Sequence, residues 1–148
     1  MRVSILAIAL VALALPAGAT SQYYEAPQNR LKVVPLNATD FEVIEEYGEG
    51  ARGIWCAAAS YVDSHITRAR TGDLYVKTPR GPSLSVAGRS SVIFTISPDQ
   101  LDAEPFRSYS VGVRRAGQSL SVQHAYQFCK DYIIEPGDVL YWLGQGHS

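Results

Sequence analysis

The stretch Gly48-Glu49-Gly50-Ala51-Arg52-Gly53-Ile54-Trp55-Cys56-Ala57-Ala58-Ala59-Ser60-Tyr61-Val62-Asp63-Ser64-His65-Ile66 sets a glycine-rich loop against an alanine-rich apolar run. At about 100° per residue, Trp55, Ala58, Ala59, Val62 and Ile66 gather in one narrow arc, with Ile54, Tyr61 and His65 on one flank and Cys56 on the other. The spacing predicts a helix over 54–66 with a face made for burial. Small side chains on that face allow another backbone to approach closely. Gly48, Gly50 and Gly53 also match the G-x-G-x-x-G spacing of a dinucleotide cradle, and Asp73 lies about 20 residues further on, where a ribose-binding acid would sit. Two features oppose that reading. Glu45, Glu46 and Glu49 would crowd carboxylates beside a pyrophosphate, and the segments that follow read as antiparallel strands rather than a βαβ unit. The loop is therefore read as a bend that uses positive φ at glycine.

Upstream of the loop, Phe41 to Tyr47 alternates imperfectly and is expected to be a half-buried strand, preceded by a turn at 37–40. Arg30 to Leu36, which contains Pro35, suits a short edge strand. Thr20 to Asn29 is polar and reads as a flexible or loosely docked arm. Downstream, Leu74 to Thr78 begins a series of strand-like segments. Pro79-Arg80-Gly81-Pro82 reads as a turn, Leu84-Ser85-Val86 alternates, and Ala87-Gly88-Arg89 turns again. The strongest strand is Ser91 to Ser97, with Val92, Phe94 and Ile96 on one face. Tyr109, Val111 and Val113 alternate with Ser108, Ser110, Gly112 and Arg114, which predicts another strand. A second helix is expected from Val122 to about Tyr132, capped by Ser121, and its inward face carries Val122, Ala125, Tyr126, Cys129 and Ile133. Val139 to Leu143 would form a final strand or a docked tail.

These elements define an α+β domain: an antiparallel sheet of about four to six strands with two helices on one face, linked by a disulfide. The pairing follows from composition and compartment. Met1-Arg2, the apolar run Val3 to Leu15 and the small triplet Ala17-Gly18-Ala19 make a secretory signal peptide over 1–19, cleaved near Ala19. An apolar run of about 13 residues is short of the roughly 20 needed to span a bilayer. The mature chain, 20–148, is the size of one domain. In an exported chain, the only two cysteines, Cys56 and Cys129, are expected to bond to each other.

Charge and motif spacing narrow the chemistry. Formal net charge is -1, so an extended basic footprint for nucleic acid is absent. Glu42, Glu45, Glu46 and Glu49 crowd early, while Arg52, Arg68, Arg70, Lys77, Arg80 and Arg89 dominate the middle, as solvated faces of adjacent elements or as a patch for an anionic partner. His65, His124 and His147 show no H-x-x-x-H or H-E-x-x-H spacing, so no metal ligands, cofactor or catalytic residues are assigned. Candidate partner-surface residues are Arg80 and Arg89 on their turns, with Tyr141 and Trp142 near the C-terminal end.

The export signal, the glycine turn into Ile54-Trp55-Cys56-Ala57-Ala58-Ala59 and the later Gln127-Phe128-Cys129 together resemble small uncharacterised exported proteins of proteobacteria. The resemblance implies a periplasmic setting and supplies no activity or site residues. The resulting expectation is a periplasmic or secreted binding or envelope accessory factor, acting on an unknown protein or envelope component, with an exported hydrolase or an inhibitor of one as alternatives.

Overall fold

A computed structural model describes residues 22–133 of the chain. The expected signal peptide and the expected C-terminal strand, with Tyr141 and Trp142, lie outside the described residues. Among those described, seven strands form one sheet: β1 (Tyr24–Glu25), β2 (Lys32–Pro35), β3 (Asp40–Ile44), β4 (Asp73–Pro82), β5 (Ser90–Thr95), β6 (Phe106–Arg107) and β7 (Gln118–Ser121). Their spatial order is β1-β2-β3-β5-β4-β7-β6. Helix α1 (Ala51–His65) joins β3 to β4, and α2 (Val122–Gln127) follows β7 directly and runs on as a 3-10 turn over Phe128–Tyr132. The α+β class holds, with more strands than expected, and one neighbouring pair, β6 with β7, is parallel.

Register explains which side chains meet. Phe41 pairs with Phe94 and Val43 with Val92 across β3 and β5, while Val76 opposes Phe94 and Leu74 opposes Leu120. These residues share one face of the sheet by the period-two rule, and they are buried with Val33 and the apolar residues of α1 and α2 in one core. Helix α1 is enclosed further round than its periodicity suggested, since every residue from Gly53 to Val62 is buried. Trp55 packs edge-on against Phe94 at 4.9 Å, and α2 adds Val122 and Ala125 to the core, followed by Cys129 of the 3-10 turn. The serine cap of α2 forms as expected: His124 N–H donates to Ser121 Oγ at 3.1 Å.

The opposite sheet face carries polar groups that are also buried. Asp40, Glu42, Ser91 and Thr95 are nearly inaccessible there. Lys77 Nζ lies 2.5 Å from Asp40 Oδ2. Glu42 accepts from the Leu84 N–H at 2.8 Å, the Ser85 N–H at 3.1 Å and the Ser91 hydroxyl at 2.5 Å. β3 is therefore buried on both faces rather than half-buried, because the 83–89 connection folds back over Glu42.

Other expectations change for similar reasons. Tyr24–Glu25 of the anticipated arm pairs with β2, Ala26 is fully buried, and Asn29 Nδ2 donates to the Gly53 carbonyl at 2.9 Å. This makes β2 the second strand and not the edge. Pro79-Arg80-Gly81-Pro82 continues β4 instead of turning, with register irregularities on either side of Thr78 that accommodate the prolines. Leu84-Ser85-Val86 is the bent hairpin connection and not a strand. Residues 108–117 form an irregular loop rather than the strand predicted from Tyr109, Val111 and Val113, and Tyr109 is fully exposed. Tyr126 and Ile133, expected inward, are exposed, whereas Phe128 is buried.

Candidate functional site

The Cys56–Cys129 disulfide joins α1 to the 3-10 turn after α2, with a Cα–Cα distance of 5.0 Å. Both half-cystines are buried, so the bond is a staple of the core. It leaves no free cysteine among the described residues.

The glycine loop leads into α1 as the bend it was expected to be, although of its three glycines only Gly48 has positive φ, at 70°. Gly50 is the helix N-cap, and no side chain caps the helix. Gly53 serves close packing: a Cβ there would lie 2.3 Å from Glu49 Oε2 and 2.7 Å from the Tyr132 hydroxyl, which donates to that carboxylate. Two antiparallel pairings, β3 with β5 and β5 with β4, make β3 and β4 run in the same direction with β5 between them. The unit β3-α1-β4 is thus a split βαβ crossover, which differs from the purely antiparallel reading of the sequence.

At the first turn of α1 lies a cleft of about 400 Å³ lined by Ala51, Arg80, Ser108, Ser110, Arg114 and Arg115, together with Val111, Gly112, Val113 and Gln118. Its volume falls within the ~300–1,000 Å³ of small-molecule sites. The loop that forms its wall is irregular but tied down. Trp55 Nε1–H donates to the Gly112 carbonyl at 3.0 Å, Arg80 N–H to the Val113 carbonyl at 2.9 Å, and Gln118 Nε2–H to the Ser110 carbonyl at 2.7 Å. Gly117 closes the loop at φ 85° and donates its N–H to the Val76 carbonyl at 2.8 Å.

Electrostatics distinguish the arginines. Arg80 Nε lies 2.7 Å from Glu45 Oε2, close in distance but not aligned as a hydrogen bond. Arg114 and Arg115 have no carboxylate partner among the described residues. The Arg115 guanidinium sits 4.3 Å from the centre of the Phe106 ring. That cation–π contact uses none of the guanidinium N–H donors. No acidic side chain lines the cleft.

The structure places Arg80 in β4 at this cleft and Arg89 at the end of the hairpin connection, just before β5, where it lies 3.5 Å from Glu46. Lys32 also approaches Glu46, at 3.7 Å. Of the early acidic cluster, Glu45 and Glu46 thus meet the mid-chain bases Arg80 and Arg89, whereas Arg52, Arg70 and Lys77 pair with Asp131, Asp63 and Asp40 outside it. Arg114, Arg115, Ser108 and Ser110 were not singled out from the sequence. The adjacent Arg114-Arg115 pair before Gly117 was the available signal, because successive residues of a central strand point to opposite faces and one of these would then be buried. Among the described residues, no group of three or more His, Cys, Asp or Glu side chains is placed to hold a metal ion. No helix there is long and apolar enough to cross a membrane.

These features define a small disulfide-stapled α+β domain with a basic cleft beside the first turn of its central helix. No protein-family model, curated protein or solved structure matches the chain.

Proposed function

We propose that the chain is an exported binding factor, periplasmic or secreted after cleavage near Ala19, that takes an anionic ligand or partner at the arginine cleft. The observation that carries this reading is the pair Arg114 and Arg115, held on a tied-down loop beside Arg80 with no carboxylate in the lining. Guanidinium groups stay protonated at all ordinary pH, so this lining can neutralise and orient a ligand but cannot relay protons. That chemistry favours binding over the hydrolase alternative. The inhibitor alternative relied on projecting turns at 79–82 and 87–89; the first lies within β4, which leaves only the hairpin tip.

Export is supported by the leader-like N-terminus and by a disulfide, which is characteristic of oxidising compartments. Expression of the full chain in a Gram-negative host tests it: mature protein beginning at Thr20 in the periplasm or medium is expected, and uncleaved protein retained in the cytoplasm would overturn it. Affinity capture from envelope extract tests binding. Wild-type protein should retain a ligand or partner that an Arg114→Ser/Arg115→Ser variant loses, and identical retention by both would remove the cleft from the function.

A further inference from the structure

We infer that the arginine cleft receives the phosphoryl group of a small phosphomonoester, an assignment that rests on the binding reading above and narrows its chemistry. The charge count points to a dianion: Glu45 offsets Arg80, and the charges of Arg114 and Arg115 have no carboxylate partner among the described residues. A single carboxylate would offset only one of them. A phosphomonoester offers about two negative charges and three acceptor oxygens, which suit a cleft lined by three guanidinium groups.

Geometry agrees with that assignment. The cation–π contact with Phe106 engages Arg115 without using its hydrogen-bond donors, and the Trp55, Arg80 and Gln118 bonds fix the loop backbone before any ligand arrives. Ser108 and Ser110 contribute hydroxyls, and Ala51 brings the uncapped first turn of α1 to the same wall. Helix N-terminal N–H groups favour a phosphoryl oxygen, so they add to a site whose charge comes from the arginines. The nearby carboxylates that counted against phosphate in the sequence are already engaged: Glu45 with Arg80, Glu46 with Lys32 and Arg89, and Glu49 with the Tyr132 hydroxyl. A cleft of about 400 Å³ also has room for an organic group beyond the phosphoryl, and its serines suit a polar one.

Titration of oxidised, ¹⁵N-labelled protein with glycerol 3-phosphate, inorganic phosphate and succinate tests the assignment. Saturable shifts for both phosphates are expected at amides of 51–53 and 108–118, with glycerol 3-phosphate binding more tightly. Affinity for the ester should rise from pH 5 to pH 7.5, as its second ionisation near about pH 6 completes. Arg114→Ser/Arg115→Ser should weaken binding at least about tenfold. Both arginines are exposed, so the fold should survive their replacement, and an unchanged spectrum outside the loop checks this. A second variant, Arg80→Gln, should also weaken binding. Absence of saturable phosphate binding, equal affinity for succinate, or unchanged affinity in the double variant would each overturn the proposal. Vesicles with and without phosphatidic acid separate the two sources of a phosphoryl group: binding to the acidic vesicles that glycerol 3-phosphate fails to displace counts against a small soluble ester. If phosphate fails while the envelope capture still depends on Arg114 and Arg115, the ligand class is wrong and the binding reading stands.

Discussion

Gly117 shows how one residue sets the shape of the cleft. Its φ of 85° is left-handed, and a Cβ added there would sit 2.3 Å from the Glu104 carbonyl oxygen. Neither the backbone nor the neighbour can yield cheaply. Gly117→Ala should therefore cost about 2–4 kcal/mol, read as a lower urea midpoint at unchanged slope. Glu42 acts on the other side of the sheet. Burial pushes its carboxyl up, but hydrogen bonds from Ser85, Ser91, Ser83 and the Leu84 backbone outweigh that and hold it below its ordinary 4.5. Asp40 behaves alike: burial raises it, while Lys77, with Thr95, Asn37 and Thr39, brings it below 3.8. Both folded values are depressed, so the unfolded chain binds more protons as pH falls through this range. Their stabilisation is complete above the unfolded values, declines as pH drops through about 4.5, and is gone below the folded values. Glu42→Gln should flatten that decline and cost about 1–3 kcal/mol at neutral pH, measured by denaturation from pH 7 to pH 3.

At the scale of elements, α1 and β5 were legible because each carries one unbroken period. The face Trp55, Ala58, Ala59, Val62 is buried as the helical spacing requires, and Val92 and Phe94 point together into the core. The 108–117 segment defeated the same logic. Its alternation of Tyr109, Val111 and Val113 is that of a strand, yet its backbone is tied to Trp55, Arg80 and Gln118 from three different elements. The bonds from Trp55 and Arg80 depend on tertiary placement, which no local window contains. The cleft was hidden for that reason: Arg80 and Arg115 are 35 positions apart in sequence and line one cleft only because β4 runs through its prolines instead of turning at them. Trp55 is the tether that sequence periodicity presented merely as core. Trp55→Phe keeps most of the buried ring but orphans the Gly112 carbonyl. An expected loss of about 1–3 kcal/mol should be accompanied by faster amide exchange confined to 108–115.

For the whole molecule, the disulfide spans a sequence separation of 73 residues. On the loop-entropy account such a closure contributes about 4 kcal/mol, a large share of what holds a domain of this size together. A Cys56→Ser/Cys129→Ser variant should lose an amount of that order in chemical denaturation while keeping the same secondary structure by circular dichroism. A variant as stable as wild type would show that the core alone suffices. The cysteine pair was legible from its number and from the expectation of export, while its geometry was not, because it depends on α2 lying alongside α1.

The same bond divides the chain under tension. β4, β5, β6 and β7 all lie between Cys56 and Cys129, whereas β1, β2 and β3 lie before the bond. A pull applied at the two ends can strip away only the outer segments, since the enclosed span is bypassed by the sulfur link. At about 3.6 Å per extended residue, roughly 250 Å of contour is shielded until the bond is reduced. Single-molecule stretching should gain that length on adding a reductant. The seam between β3 and β5 is then the line along which an oxidised molecule yields, and the hairpin carrying Arg80, together with Arg114 and Arg115, stays on the protected side.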